Sequence, residues 1–131
     1  MTRIKKAMKL FNENSCAQTV ALTFEDIVDL NKDQIKRALA AYGGGLCCHE
    51  ACGALTAGLF IIGLLSRNMN QEFFSKTVDK FTQNFSEETG YKRCEDLLAD
   101  LPDNEEKANK KRREICENAI TFSVNFIEKL I

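Results

Sequence analysis

A chain of 131 residues, 44% hydrophobic and 28% charged, can bury roughly two thirds of its unfolded surface as one domain and needs no cross-links to be stable. That composition is ordinary for a globular protein and speaks against disorder. A net charge of −1 argues against a nucleic-acid surface, which would ask for a clear basic excess.

Ile4, Ala7, Met8 and Phe11 recur at helical spacing and predict a short amphipathic helix over residues 3–12, closed by Asn12, Glu13 and Asn14. Met1 to Leu10 mixes basic with apolar residues and holds no unbroken apolar run, so no secretory signal is read there and a reducing cytoplasm is the expected compartment. Ser15, followed three residues later by Gln18, has the form of a capping box. Val20, Ala21, Phe24, Ile27 and Val28 give the helix behind it an apolar face as far as Leu30, with Cys16 in the first turn. Asn31 and Gln34 repeat the capping pattern for a third helix, marked by Ile35, Ala38, Leu39 and Ala41 and stopped after Tyr42 by Gly43, Gly44 and Gly45.

Tyr42 to Leu65, YGGGLCCHEACGALTAGLFIIGLL, holds three of the six cysteines and then the most apolar segment of the chain. The uncharged part, Ala51 to Leu65, is too short at about 1.5 Å per residue to cross a bilayer core of ~30 Å. It predicts no membrane span but the central buried helix of a bundle, over residues 50–65. Gly53 and Ala57 are four apart, as are Ala54 and Gly58, so two rows of missing side chains let another backbone or a flat ligand come close. Gly43, Gly44, Gly45 and Gly53 are therefore candidate ligand contacts, although turning the chain and packing helices are the commoner uses of such glycines. Gly53, Gly58 and Gly63 each cost about 1 kcal/mol in a helix interior and call for compensation from packing.

A fifth helix is predicted from Gln71 to Phe85, with Phe73, Phe74, Val78, Phe81 and Phe85 as its core face. Tyr91 to Leu98 makes a short helix carrying Cys94, Pro102 ends that segment, and Asp103 with Glu106 caps a last long helix to Leu130. Its run Lys107, Lys110, Lys111, Arg112 and Arg113 is interleaved with Glu105, Glu106, Glu114 and Glu117, as on a solvated helix face. No stretch alternates with the period of a strand. The expected fold is all-α, a single domain over residues 1–131 forming an up-and-down bundle of about five to six helices around the central one.

In such a bundle every second connection lies at the same end. Cys16, Cys47, Cys48, Cys52 and Cys94 should gather there, whereas Cys116 lies mid-helix and reads as core. Six cysteines in a reducing compartment point to redox or metal chemistry, or to buried thiols. Cys16 and Cys52 at helix starts are candidate reactive thiols, since a helix N-terminus stabilises a thiolate. Cys48 is too far along a helix from Cys52 for a relaxed disulfide, so Cys16 or Cys94 is the better partner for Cys52. His49, the only histidine, and Glu50 could serve as base or ligand beside the thiols, although such a pair is more often surface or cap. Cys47-Cys48-His49 and Cys52 lack the Cys-x-x-Cys spacing of zinc ribbons and the Cys-x-x-Cys-His of haem attachment, while spacing leaves room for zinc or an iron-sulfur cluster on Cys16, Cys52, Cys94 and one more thiol.

Asn14-Ser15-Cys16-Ala17-Gln18, Tyr42-Gly43-Gly44-Gly45, Cys52-Gly53-Ala54-Leu55-Thr56 and the later single cysteines Cys94 and Cys116 together resemble the C_GCAxxG_C_C family, whose redox label is inferred from its cysteines. The resemblance runs from Asn14 to the last helix. It implies that the signature cysteines are Cys16, Cys52, Cys94 and Cys116, so that Cys116 belongs with the others and its helix passes the cluster partway along its length. The family's CGAxxG motif has glycine where this chain has Ala57, with Gly58 one position later. Cys47 and Cys48 fall outside the signature, as resolving thiols or incidental ones. The expected function is that of a cytoplasmic thiol redox protein, a candidate thiol-disulfide oxidoreductase that under this reading needs no cofactor, in which Cys16 and Cys52 form and break a disulfide with Cys94 and Cys116 as partners. It would act with a redox partner protein or a small thiol. One alternative is a zinc-, iron-sulfur- or haem-binding electron-transfer module on the same four cysteines; another is a helical interaction domain whose cysteines merely pack. Homo-oligomerisation is compatible with all three.

Overall fold

Side-chain caps start most of the helices. The structure, a computed structural model, describes residues 1–131 apart from the side chain of His49. Helix α1 (Arg3–Leu10) begins at Thr2, whose hydroxyl accepts the Lys5 amide. Helices α2 (Cys16–Thr23) and α3 (Lys32–Ala38) both open on complete capping boxes. In the first, Gln18 N donates to Ser15 Oγ at 3.2 Å and Ser15 N to Gln18 Oε1 at 3.1 Å; Asn31 and Gln34 exchange the same pair of bonds, both at 2.9 Å. Each box satisfies two amides that a helix start leaves without partners. Then follow α4 (Gly53–Leu65), α5 (Gln71–Thr89), the single-turn α6 (Cys94–Leu97) and α7 (Glu105–Glu128). Among the described residues there is no strand, only one antiparallel bridge between Ala51 and Arg93. The fold is all-α, and no described helix is long and apolar enough to cross a membrane.

Several boundaries differ from those read in the sequence. Helix α2 stops at Thr23 instead of Leu30. Arg3, reaching over from α1, donates to the Thr23 carbonyl at 2.8 Å, grips Asp26 through both carboxylate oxygens at 2.8 and 3.0 Å, and lies over the Phe24 ring. A tertiary cation thus supplies the partner that the helix end lacks. Helix α3 ends four residues before Tyr42. Asn104, not Asp103, caps α7, accepting the Lys107 amide at 3.0 Å. Helix α5 runs past Phe85 to Thr89, where Gly90 at φ 94 turns the chain.

Helix α4 lies at the centre, packed chiefly on α2 and α7 and also on α5. Ala54, Ala57, Ile61 and Ile62 are fully buried, and the buried Ser123 Oγ of α7 donates to the Ala54 carbonyl at 2.8 Å. Phe81 and Phe85 of α5 meet Phe122 and Phe126 of α7 with ring centroids 5.0 to 5.8 Å apart, the spacing that aromatic pairs favour. Phe73, expected on that core face, is 51% exposed at the helix start.

The small residues of α4 are not equivalent. The Phe81 ring occupies the space that a side chain at Gly58 would need. Nothing lies within 4 Å of a Cβ built at Gly63, so the compensation expected there is missing. Gly58→Ala should therefore lose about 1–3 kcal/mol to overpacking, whereas Gly63→Ala should gain ~0.5–1 kcal/mol from the lower freedom of the unfolded chain. Denaturant midpoints of the two variants against the parent chain check both signs.

Candidate functional site

Three backbone segments converge where α2 and α4 begin. Cys16 is the first residue of α2, and its Sγ lies directly against Gly53, the first of α4. A Cβ at Gly53 would also stand 3.1 Å from Ala17 N and 3.1 Å from the Tyr42 carbonyl oxygen. One at Gly43 would stand 2.6 Å from Ser15 Cβ. These glycines are small because their own chain fills the space. Gly53 thus holds a cysteine sulfur where a ligand contact was expected, and Gly45 is closed by Glu50 backbone and Cys94 Cβ. Gly43 and Gly44 do face a cavity.

Cys52 is the N-cap residue of α4, 6% exposed. The bridge beside it brings up Cys94: Cys52 N donates to Lys92 O at 2.8 Å, Cys94 N to Glu50 O at 2.7 Å, and Arg93 pairs with the Glu50 carboxylate at 3.2 Å. Helix α7 passes the same place partway along its length and adds Cys116. Cys16, Cys52, Cys94 and Cys116 thereby line one cavity of about 260 Å³, with Phe11, Leu97, Leu98, Ile115 and Ala119 as its apolar walls. All six cysteines are free thiols.

Topology alone expected Cys47 and Cys48 in the cluster and Cys116 outside it. Instead Cys116 lines the cavity, whereas Cys47 and Cys48, at the end of a left-handed turn, are exposed and do not line it. The side chain of His49 lies outside the described residues. Arg112 was missed. It lines the cavity as the only cation in its described wall, and the signal was its position four residues before Cys116, on the same helix face.

Burial decides the charge state of the thiols. It pushes Cys52 up to about 12, with the neighbouring Cys16 adding to the shift and the Ala54 and Leu55 amides opposing it. The thiolate expected at this helix start is therefore disfavoured: two amides do not replace the water lost. Burial, then Cys16 and Cys94, push Cys116 up to about 11, against Arg112 and Arg113. Cys94 is raised by burial and by Cys16, against Arg112. Cys16 contributes to all three shifts and is the sulfur the others have in common. Among the described residues, no three cysteine, histidine or carboxylate side chains are grouped closely enough to hold a metal ion.

An all-α chain with four thiols from distant positions on one cavity is, as a class, a small helical cysteine-cluster protein. The family described as "Putative redox-active protein (C_GCAxxG_C_C)" matches residues 14–130, and the chain belongs to it. No curated protein and no solved structure matches the chain.

The raised thiols make stability depend on pH. Unfolded cysteines ionise near 9.0, so above that pH the unfolded chain releases protons that the native chain keeps. The stabilisation is complete below pH 9 and is lost as pH rises towards 11 and 12. Cys52 alone accounts for on the order of 3–4 kcal/mol at the top of that range. Denaturant midpoints of the reduced chain should fall between pH 8.5 and 11 more steeply than those of Cys52→Ala.

Proposed function

We propose that this chain is a thiol redox protein that cycles between dithiol and disulfide, with Cys16 and Cys52 as the pair that forms first and Cys94 and Cys116 as exchange partners. The observation that carries the reading is the common cavity of four cysteines drawn from positions 16 to 116. Its support is chemical. Burial penalises a thiolate but not a neutral disulfide, so the apolar pocket favours the two uncharged states between which such a pair cycles. Oxidation removes two electrons and two protons from Cys16 and Cys52 and gives them to an external acceptor, a partner disulfide or a small oxidised thiol. The sulfur of Cys16, resting on Gly53 beside Cys52, supports this pairing over the others. A cytoplasmic setting fits this chemistry, because there a disulfide is transient.

Thiol titration tests the reading. The denatured, reduced chain should titrate six thiols, and mild oxidation with a diazene dicarboxamide should remove two, with peptide mapping linking Cys16 to Cys52. A bridge between them closes a loop of about 37 residues, worth roughly 4 kcal/mol in chain entropy. The oxidised chain should accordingly be more resistant to denaturant by a few kcal/mol, and Cys16→Ser should abolish the difference. Six thiols after oxidation, or zinc or iron retained in stoichiometric amount by the purified chain, would sink it.

A further inference from the structure

Cys47 and Cys48 stand outside the family's cysteine pattern and are both exposed, yet their settings differ. Cys48 lies on an outer groove of about 760 Å³ with Gly44, Cys94, Leu98 and Arg112, four residues that also line the inner cavity. Cys94 therefore forms part of the wall between the two. Cys47 lines neither. Gly45 connects the two thiols: the Cys48 S–H donates to its carbonyl at 3.5 Å, and a Cβ on it would stand 2.8 Å from Cys94 Cβ.

The backbone that presents Cys48 is held in an uncommon shape. Gly44, Gly45, Leu46 and Cys47 follow one another at φ 64, 64, 62 and 60, a left-handed turn that is sterically unfavourable at the two residues with a Cβ. Glu50 N closes it on Gly45 O at 2.9 Å, and the Cys94 amide then holds Glu50 O at 2.7 Å. The turn and the cysteine across the groove are thus fastened to each other. Strain of this kind persists only where the surroundings fix it.

We propose that Cys48 is the thiol through which the buried disulfide is opened from outside, by way of an outer exchange pair with Cys94. The proposal rests on the thiol-disulfide reading above. Cys94 thiolate attacks Cys16 in the Cys16–Cys52 disulfide; that bond breaks, a Cys94–Cys16 bond forms, and Cys52 leaves as thiolate and takes a proton. Cys48 thiolate then attacks Cys94, a Cys48–Cys94 bond replaces the Cys94–Cys16 bond, and Cys16 takes the second proton. Neither exchange transfers electrons to or from the chain. An external protein dithiol finally attacks the exposed Cys48, gives up two electrons in becoming a disulfide, and leaves Cys48 and Cys94 as thiols. Arg112 borders both spaces and partly offsets the burial that disfavours the Cys94 thiolate, which must form on the way.

The test is reduction of the oxidised full-length chain by thioredoxin, a protein dithiol too large to enter a cavity of about 260 Å³. Cys48→Ser should slow reduction roughly tenfold or more, while Cys47→Ser should stay within about twofold of the parent. Acid quenching during reduction of the parent chain should trap a peptide linking Cys48 to Cys94. A Cys48→Ser variant reduced at the parent rate, equal slowing by Cys47→Ser, or absence of the trapped link would overturn the relay while leaving the buried disulfide standing. If no disulfide forms among Cys16, Cys52, Cys94 and Cys116 in the parent chain, both readings fall.

Discussion

The contact on which the molecule depends is that of the Cys16 sulfur with the bare Cα of Gly53. It sets how closely the start of α2 approaches the start of α4, the most extensively packed pair in the bundle. The capping box at Ser15 fixes where α2 begins, and Gly43 rests on Ser15 as Gly53 rests on Cys16. A side chain at either glycine would force these backbones apart, because the atoms it meets include main-chain or Cβ atoms that cannot swing away. The cavity beside this junction exists because three chain segments converge there and end in small, sulfur-bearing residues that leave the space between them unfilled.

Two effects compete for the charge of those sulfurs. A helix start favours a thiolate through its dipole and free amides, and loss of water disfavours it. At Cys52 the second wins, the thiol being 6% exposed and raised despite two opposing amides. Burial thus holds Cys52, Cys94 and Cys116 towards the protonated thiol, and in the proposed relay reactivity enters through the member that borders both the inner cavity and the outer groove. Cys94, half-buried and bordering both spaces, has that position.

Much of the scaffold was legible because it is local. Ser15 with Gln18 and Asn31 with Gln34 specify helix starts within four residues, and the uncharged run to Leu65 can only be a core helix. What the sequence hid depends on distant partners. The side chain that satisfies the Thr23 carbonyl at the end of α2, Arg3, comes from twenty residues away. Helical period alone placed Cys116 in inert core, since the level at which α7 passes the other helices is fixed by tertiary packing, and only the family's cysteine order drew it into the site. Arg112 was camouflaged by a charged run in which Lys107, Lys110 and Lys111 are solvated. The left-handed turn at Gly44–Cys47 carries two non-glycine residues in a conformation that sequence preference argues against.

The departure from the CGAxxG pattern at Ala57 separates two demands that a row of small residues can serve. Ala57 is fully buried without needing to be glycine. One position on, Gly58 gives its space to the Phe81 ring, part of an aromatic cluster that does not line the cysteine cavity. The missing side chain at position 58 therefore belongs to the packing of α5 on α4. The one at position 53 belongs to the site, because the atom that occupies the space is the sulfur of Cys16. Of the small residues along α4, Gly53 is the one against which the Cys16 sulfur rests, and Gly58 further along makes room for the ring that the neighbouring helix presents.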